Sequence, residues 1–335
     1  MASEIFKNLL QEYEQKKLNA ELNAERKKEK IYSKLPRLNE IDSELNSFAI
    51  NKAKSILQNT SVSLDDLKKK TSTLKKEKIA LLEKNNLSLD DLKPKYECMD
   101  CKDTGYVHYN NLKTAMCNCL KQRLLNDAFN QSNLSNLQKD NFDNFNEKMY
   151  SDEVDLSKYK YNVSPRKNIL NIKKKSEEFV ENFDNLECRN LLFTGQTGLG
   201  KTFMSNCIAA ELLKKKKTVI YQTTPILLEK IIRYKMSKEK NLADNFYDSI
   251  LNCDLLIIDD LGTESVNSMT LSELLTIINA RSMNFDKTTR TIISSNLGLK
   301  EIFATYGERI GSRIAGDYDP YYFFGEDIRL KKRKV

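Results

Sequence analysis

The sequence predicts an α/β protein in which helices surround a parallel sheet, preceded by a helical N-terminal region with a small cysteine-bearing knuckle. Three observations support this prediction. Short apolar or β-branched runs alternate with helical segments in the second half, apolar residues recur at helical spacing near the start, and four cysteines cluster between these regions. A length of 335 residues fits two domains.

Composition limits the possible classes of protein. Lys and Arg number 55 against 47 Asp and Glu, a net charge of +8 that favours an anionic partner such as nucleic acid without requiring one. No stretch approaches the roughly 18 apolar residues that would span a bilayer, and the start lacks the apolar core of a signal peptide. We therefore expect a cytoplasmic protein. Seven cysteines argue against a disulfide framework and favour metal ligation where they cluster.

Residues 1–95 are predicted to form two or three helices that bind a partner. Ile5, Leu9 and Tyr13 recur at helical spacing, and Pro36 separates the first helix from the second. A small bundle or hairpin of helices is favoured over a nucleic-acid reader. Such a hairpin also presents a surface suited to docking another protein.

Residues 96–125 are predicted to form a zinc-binding knuckle. Its four candidate ligands are Cys98, Cys101, Cys117 and Cys119. Four thiolates are the ligand number of a closed, structural zinc site, although the final C-x-C is tighter than the common spacing. Gly105 permits the chain to turn back. His108, the only histidine, is an alternative ligand, whereas a lone loop histidine is more often exposed to solvent.

Residues 126–160, rich in Asn, Ser and Asp, are predicted to be a partly ordered linker, and residues 161–335 the α/β domain. Ser164 and Pro165 have the sequence of a helix start, with a cap residue and proline at the first helical position. The strands of the sheet are predicted at residues 190–194, 218–222, 255–258 and 291–294.

A glycine-rich loop follows the first of these strands and precedes an apolar helix. Its eight residues are Gly195, Gln196, Thr197, Gly198, Leu199, Gly200, Lys201 and Thr202, which match G-x-x-x-x-G-K-T. Glycines let successive backbone N–H groups point at phosphates, and the helix N-terminus adds partial positive charge. Lys201 is expected to reach the outer phosphates and Thr202 to offer its hydroxyl to Mg²⁺. A glycine turn with an incidental lysine is the alternative, and the strand–loop–helix context argues against it.

Three polar residues end the later strands. Asp259 is expected to hold Mg²⁺, usually through water, and Asp260 to orient or deprotonate the attacking water. These carboxylates are expected at the carboxyl edge of the predicted parallel sheet, which is where ligands bind in such sheets. Asn296 could hold water against the terminal phosphate, although taken alone it is better explained as an ordinary cap for the helix that begins near Leu299.

Three arginines are candidates for phosphate binding. Arg309 and Arg313 are four residues apart and share a helical face. Because a guanidinium group has five donors in a fixed arrangement, both suit the ATP of a neighbouring subunit. Arg329 could reach the nucleotide of its own subunit.

This ordered set resembles the AAA+ ATPases of the DnaC/DnaI bacterial replicative helicase loaders and their transposition relative IstB, over about residues 160–330. The resemblance implies the following roles: Walker A for Lys201 and Thr202, Walker B for Asp259 and Asp260, sensor 1 for Asn296, arginine finger for Arg313 with Arg309 nearby, and sensor 2 for Arg329. Many AAA+ motors have Glu where this chain has Asp260. The shorter side chain implies a weak, switch-like ATPase.

The order of helical region, cysteine knuckle, linker and ATPase is similar to the DnaI side of that family, whose zinc-bearing N-terminal part docks on the helicase. The resemblance thus implies three partners: the hexameric replicative DNA helicase, single-stranded DNA, and further copies of the chain in an ATP-dependent spiral or ring. Candidate DNA contacts are the Tyr and Lys residues between Tyr234 and Tyr247 and the loop 262–267, which could equally be ordinary solvated surface.

Two other functions remain open. One is an IstB-like transposition helper ATPase, in which a zinc-bearing helical N-terminus is not expected. The other is a zinc-dependent DNA-binding protein with a vestigial ATPase, and the intact Lys201, Thr202 and Asp259 argue against it.

Overall fold

The computed structural model describes residues 2–57, 64–108, 114–127, 139–236, 247–283 and 288–332. The chain divides into two compact units, residues 1–117 and 118–335. Among the described residues, none of the helices combines the length and the apolar composition that spanning a bilayer requires.

The first unit is built on three helices and a short hairpin. The helices are α1 (Ala2–Lys34), α2 (Pro36–Leu57) and α3 (Leu64–Lys84), and the antiparallel strands are β1 (Tyr106–His108) and β2 (Thr114–Met116). Proline at the first position of α2 fits a new helix start after the break at Leu35, because its missing N–H is not needed there. Ile31, Leu38 and Leu82 form a buried cluster contributed by all three helices.

The second unit contains a parallel sheet of five strands. They are β3 (Asn190–Thr194), β4 (Val219–Thr223), β5 (Leu255–Leu261), β6 (Arg290–Ser295) and β7 (Tyr318–Tyr322). Their order across the sheet is β4-β5-β6-β3-β7, and every neighbouring pair is parallel. This confirms the predicted fold class of a parallel α/β sheet preceded by a helical part.

Eight labelled helices belong to this unit. They are α4 (Asn118–Leu125), α5 (Leu156–Tyr159), α6 (Pro165–Glu181), α7 (Lys201–Lys214), α8 (Thr224–Met236), α9 (Ser268–Ser282), α10 (Leu299–Asp317) and α11 (Ile328–Lys332). Residues 247–252 are also helical, and short 3-10 turns lie at Phe142–Asn144 and Glu147–Met149.

Alternation along the strands sends apolar side chains to both faces of the sheet, as expected of parallel strands covered by helices on both sides. Leu191 and Phe193 of β3 pack in a cluster with residues of α6 and α7, whereas Leu192 packs in a second cluster with residues of α8, α9 and α10. The sheet is therefore the middle of three layers.

The strand β7 was not predicted from the sequence. It contains Asp319 and Pro320 and pairs with β3 alone, at the edge of the sheet. An edge is where proline is tolerated, because one side of the strand needs no ladder hydrogen bond. Its neighbour α10 contains a break at Gly307, whose φ of 79° and ψ of 172° are not helical.

Candidate nucleotide site and cysteine cluster

The glycine-rich loop joins β3 to α7, and its glycines are required by both backbone and space. Gly195, Gly198 and Gly200 have φ values of 140°, 81° and 96°. A Cβ on Gly195 would lie 2.2 Å from the carbonyl oxygen of Phe323, and one on Gly200 would lie 2.5 Å from the hydroxyl oxygen of Tyr150. Any side chain at these two positions would clash, so both require glycine. Glycine also allows the tight bend of the backbone that leaves the N–H groups of the loop exposed.

Lys201 is the first residue of α7 and is only 6% exposed. Its ammonium group donates to the carbonyl oxygens of Gly195 (2.5 Å) and Gln196 (2.9 Å) and to Oδ1 of Asn296 (2.8 Å). Burial lowers the pKa of Lys201, and the charges of Asp260 and Asp259 oppose that shift. The lysine is thus held inside the loop by neutral acceptors that a phosphate could replace.

The two carboxylates at the end of β5 lie in a bulge. Ile258 pairs with Ile293 and Leu261 with Ser295, so Asp259 and Asp260 together oppose the single residue Ser294. Asp260 has a φ of 55°, in the left-handed region. Because a bulge redirects side chains that would otherwise alternate, both carboxylates lie near the glycine-rich loop.

Asp259 is 3% exposed and accepts four hydrogen bonds. Its Oδ2 accepts from the hydroxyls of Thr202 (3.1 Å) and Tyr221, and its Oδ1 accepts from the hydroxyl of Ser294 and the backbone N–H of Asp260 (3.1 Å). Burial, followed by the Asp259 charge, raises the pKa of Tyr221, so that its hydroxyl stays protonated and donates. The oxygen-rich set of Asp259 and Thr202 fits Mg²⁺, which prefers hard oxygen ligands.

Asp260 has a different environment. It is partly exposed and lines the cavity beside the loop. Burial, followed by the charge of Asp259, raises the pKa of Asp260, while Lys201 and Arg329 oppose the shift. A carboxylate of raised pKa that faces a cavity suits proton transfer to or from water.

The cavity has a volume of about 430 Å³. Its lining brings together the glycine-rich loop from Thr197 to Thr202 with Asp260, Asn296 and Arg329, all of them predicted site residues. The backbone N–H of Ile328 donates to the carbonyl of Gly198 (2.9 Å), which ties the segment before Arg329 to the loop. Among the predicted residues, two positive side chains (Lys201 and Arg329), the carboxylate of Asp260 and the amide of Asn296 therefore converge on the cavity.

A second group of lining residues has no counterpart in the sequence analysis. It comes from the segment predicted to be a linker: Asp140, Asn144, Phe145, Asn146, Met149 and Tyr150. The Tyr150 hydroxyl donates to the carbonyl of Leu199 (3.1 Å), and Asn206 of α7 donates to Asp140 (2.8 Å). Phe145 stacks on Tyr150 with ring centroids 6.1 Å apart. A signal in the sequence could have indicated this ordered segment, namely the spacing of the apolar residues Phe142, Phe145, Met149 and Tyr150.

Arg309 and Arg313 lie outside this cavity. Both are exposed on α10, four residues apart and after the break at Gly307. Of the candidate DNA contacts, residues 237–246 lie outside the described residues. In the loop 262–267, Glu264 accepts from the N–H of Gly262 (3.0 Å) and from the hydroxyl of Tyr306.

The four predicted zinc ligands are brought together. All four sulfur atoms of Cys98, Cys101, Cys117 and Cys119 lie within 4.8 Å of one another. The sulfurs of Cys98 and Cys117 are 3.8 Å apart, close to the edge of a tetrahedron with Zn–S bonds of about 2.3 Å. The cluster therefore fits zinc. His108 is not part of the group; it is exposed, and its Nδ1 lies 2.9 Å from the Thr114 hydroxyl.

The turn that holds the first two cysteines is built from unusual backbone. Lys102, Asp103 and Gly105 have φ values of 50°, 57° and 77°. The buried Asp103 carboxylate accepts from the backbone N–H groups of Glu97 (2.9 Å) and Cys98 (2.8 Å). Such non-glycine conformations cost on the order of 1–3 kcal/mol each, so a further stabilising interaction is expected at this turn.

Comparison with known proteins identifies the family. The model of the IstB-like ATP binding protein family matches residues 133–313, more than half of the chain. The replicative helicase loader DnaC of Escherichia coli (strain K12) is 26% identical over 148 residues, which cover 43% of this chain and 57% of that protein. The chain thus matches less than two thirds of that relative's length.

Two further likenesses were found. An insertion sequence IS1162 putative ATP-binding protein of Pseudomonas fluorescens is 28% identical over 92 residues, covering 28% of this chain and 38% of that protein. The crystal structure of the DnaC helicase loader aligns with a TM-score of 0.41 and 23% identity, over 53% of this chain and 96% of that chain. The predicted resemblance is confirmed at the level of the family: the chain belongs to the IstB-like ATP-binding proteins.

Proposed function

We propose that this chain is an ATP-dependent loader of the replicative DNA helicase and acts as a slow ATPase switch in the cytoplasm. The observation that carries the proposal is the cavity where Lys201, Asp260, Asn296 and Arg329 converge. The match to the helicase loader DnaC supports the choice of partner.

The predicted site residues have distinct roles in this proposal. The loop from Gly195 to Thr202 surrounds the phosphates of ATP, and Lys201 exchanges its carbonyl and amide partners for phosphate oxygens. Thr202 and Asp259 hold Mg²⁺. Asp260 and Asn296 position the attacking water, and Arg329 contacts the phosphates from the same subunit. Mg²⁺ would polarise the transferred phosphoryl group and neutralise its charge.

Hydrolysis is proposed to need a second copy of the chain. Arg309 and Arg313 are exposed and do not line the cavity of their own subunit. A guanidinium supplied by a neighbour stabilises charge in the transition state, and Arg313 is the proposed finger, with Arg309 beside it. This arrangement couples turnover to self-association in a spiral or ring. The single-stranded DNA that such an assembly would bind is a further proposed partner.

Zinc is proposed to be structural. Four thiolates occupy all positions of a tetrahedral ion and leave none open for a substrate. Cys98, Cys101, Cys117 and Cys119 would hold the ion and would stabilise the left-handed turn at Lys102 and Asp103. The helical region before the cluster is the proposed helicase-docking surface. The division into residues 1–95, 96–125, 126–160 and 161–335 stays a prediction.

An IstB-like transposition helper is the second candidate, supported by the family model and the insertion-sequence relative. The helical unit and the cysteine cluster favour the loader. A zinc-dependent DNA-binding protein with a vestigial ATPase is disfavoured. All of the proposed phosphate and Mg²⁺ groups except Arg309 and Arg313 meet at one edge of the sheet.

The test is complex formation between the full chain and the purified replicative helicase of the same organism, measured by size-exclusion chromatography with ATP or ADP. We expect a stable complex with the helicase and a different stoichiometry or stability with ATP than with ADP. Lys201→Ala should remove that nucleotide dependence. A chain that binds a purified transposase and not the helicase would instead establish the transposition helper.

A further inference from the structure

The Asp259 carboxylate is fully occupied by donors within the protein. A carboxylate offers about four lone-pair sites, and Asp259 receives four hydrogen bonds. The donors come from three strands and one helix: Tyr221 of β4, Ser294 of β6, the N–H of Asp260 in β5 itself, and Thr202 of α7.

These four donors are not equivalent. In the proposed function the Thr202 hydroxyl turns to Mg²⁺, so its bond to Asp259 is the one that is exchanged. Oδ1 is held by Ser294 and by the N–H of Asp260, neither of which takes part in that exchange. Oδ2 is shared by Thr202 and Tyr221. When Thr202 leaves, Tyr221 is the donor that still orients Oδ2.

Tyr221 is well placed to keep that orientation. It is 3% exposed, and its ring packs in the buried cluster that includes Leu255 and Ile257 of the neighbouring strand. Thr223, two residues later in β4, pairs with Asp259 itself. Since the ring is fixed by packing and the strands by their ladder, the hydroxyl has little freedom relative to the carboxylate.

We infer that Tyr221 is a positioning residue for Mg²⁺: its hydroxyl fixes Oδ2 of Asp259 in the orientation from which the carboxylate holds the ion or its bound water. The inference rests on the proposed function, because it requires that Asp259 bind Mg²⁺ together with ATP. Partners that orient a metal-binding carboxylate typically change metal affinity about 10- to 100-fold when they are removed.

The experiment titrates a fluorescent ATP analogue against the full chain, in EDTA and over a series of Mg²⁺ concentrations. In Tyr221→Phe, which keeps the ring and removes only the hydroxyl, we expect the Mg²⁺ concentration for half-maximal binding to rise about 10-fold. Affinity in EDTA should stay at the wild-type value, because Tyr221 does not line the nucleotide cavity.

Tyr306→Phe is the matched control. Tyr306 is also buried and donates to a carboxylate, that of Glu264, but it does not line the cavity and does not contact Asp259. If the two hydroxyl groups contributed only to the stability of the fold, both variants would have a lower thermal midpoint and an unchanged Mg²⁺ requirement. Ser294→Ala, which removes a donor from Oδ1, should raise the Mg²⁺ requirement less than Tyr221→Phe does.

An unchanged Mg²⁺ requirement in folded Tyr221→Phe would overturn the inference while leaving the ATP site in place. The inference would also be overturned if Ser294→Ala raised the Mg²⁺ requirement as much as Tyr221→Phe does. A wild-type chain that binds the analogue equally well in EDTA and in Mg²⁺ would contradict the proposed Mg²⁺ site itself, and the role of Tyr221 with it.

Discussion

The nucleotide site and the cysteine cluster obtain their geometry in different ways. At the nucleotide site, Lys201 and Asp259 are buried, and each is hydrogen-bonded to several protein groups on the edge of a packed sheet. At the cluster, four thiols converge on a turn with left-handed residues and a strand pair of three residues each. The first site is maintained by the core of its unit, whereas the second is proposed to depend on the zinc ion that its four ligands fit.

This contrast implies that the ligand of the first site affects function, whereas the proposed ligand of the second site affects folding. In the proposed function, ATP at the sheet edge changes the partners of groups that are already in place and thereby acts as a switch. A metal that organises its own ligands contributes folding free energy, since the site rarely exists in the unfolded chain. Removal of zinc and removal of ATP should therefore have effects of different kind.

The largest expected effect is that of metal removal. Structural zinc contributes on the order of 10–16 kcal/mol in small zinc-binding peptides, so Cys98→Ser with Cys101→Ser should unfold the segment around the cluster. Metal analysis of the wild-type chain should give about one zinc per chain, and hydrogen exchange should report loss of protection near residues 96–121 in the variant. ATP binding should persist.

As a control, Cys253→Ser changes a buried cysteine outside the cluster and should leave the zinc content unchanged. Wild-type protein that contains no zinc and yet is protected from hydrogen exchange throughout the cluster would contradict the proposed dependence of this site on a metal.

The second effect concerns the proposed sharing of the ATPase site between two copies of the chain. Because an arginine supplied in trans raises phosphoryl-transfer rates about 10³-fold or more, Arg313→Ala should retain ATP affinity and lose stimulated hydrolysis. Asp260→Asn should also be inactive, because it lacks the carboxylate that is proposed to position the attacking water in the ATP-binding chain. Mixing the two variants should restore part of the activity, measured as phosphate release, at interfaces that combine an intact Arg313 with an intact Asp260.

Lys300→Ala provides a control for the loss of positive charge on α10, since Lys300 is exposed on the same helix but before the break at Gly307. A mixture no more active than its parents would remove the support for a shared site.

A smaller effect is expected from pH. Burial and Asp259 raise the pKa of Asp260 above that of an ordinary aspartate, so Asp260 takes up a proton as the pH falls through that raised value. Hydrolysis should decline there, because the protonated acid cannot act as a base. The effect on stability has the opposite sign. Because the pKa of Asp260 is higher in the folded than in the unfolded chain, the free energy of unfolding increases as the pH falls through this range. Asp260→Asn should remove this pH dependence from the thermal midpoint, whereas Asp152→Asn, at an exposed carboxylate, should not.

Most of the nucleotide site could be predicted because its chemistry is local in sequence. Eight adjacent residues define the glycine-rich loop, and the polar ends of two parallel strands must meet at one sheet edge. Local patterns also indicated four strands. They did not indicate β7, whose Asp319 and Pro320 are acceptable only because the strand lies at an edge, a property of the assembled sheet.

The residues from Asp140 to Tyr150 were missed for a similar reason. Their Asn-rich sequence is typical of a linker, and their order comes from long-range contacts such as that of Tyr150 with Leu199. The bulge at Asp260 is also nonlocal, because its left-handed backbone has no glycine to indicate it. The position of Arg309 and Arg313 relative to a neighbouring chain depends on assembly, which a single sequence pattern does not describe.

The most direct test of the nucleotide site is titration of the full chain and of Lys201→Ala with a fluorescent ATP analogue in Mg²⁺. Lys217→Ala is the matched control, since Lys217 is a lysine of the same unit that pairs with Asp184, outside the cavity. The structure predicts saturable binding by the wild type and by Lys217→Ala, and a loss of affinity of at least about 10-fold in folded Lys201→Ala, because a charge-assisted contact to phosphate is worth roughly 1.5–3 kcal/mol. Equal affinity in all three proteins would contradict the assignment of the loop from Gly195 to Thr202 as the ATP site.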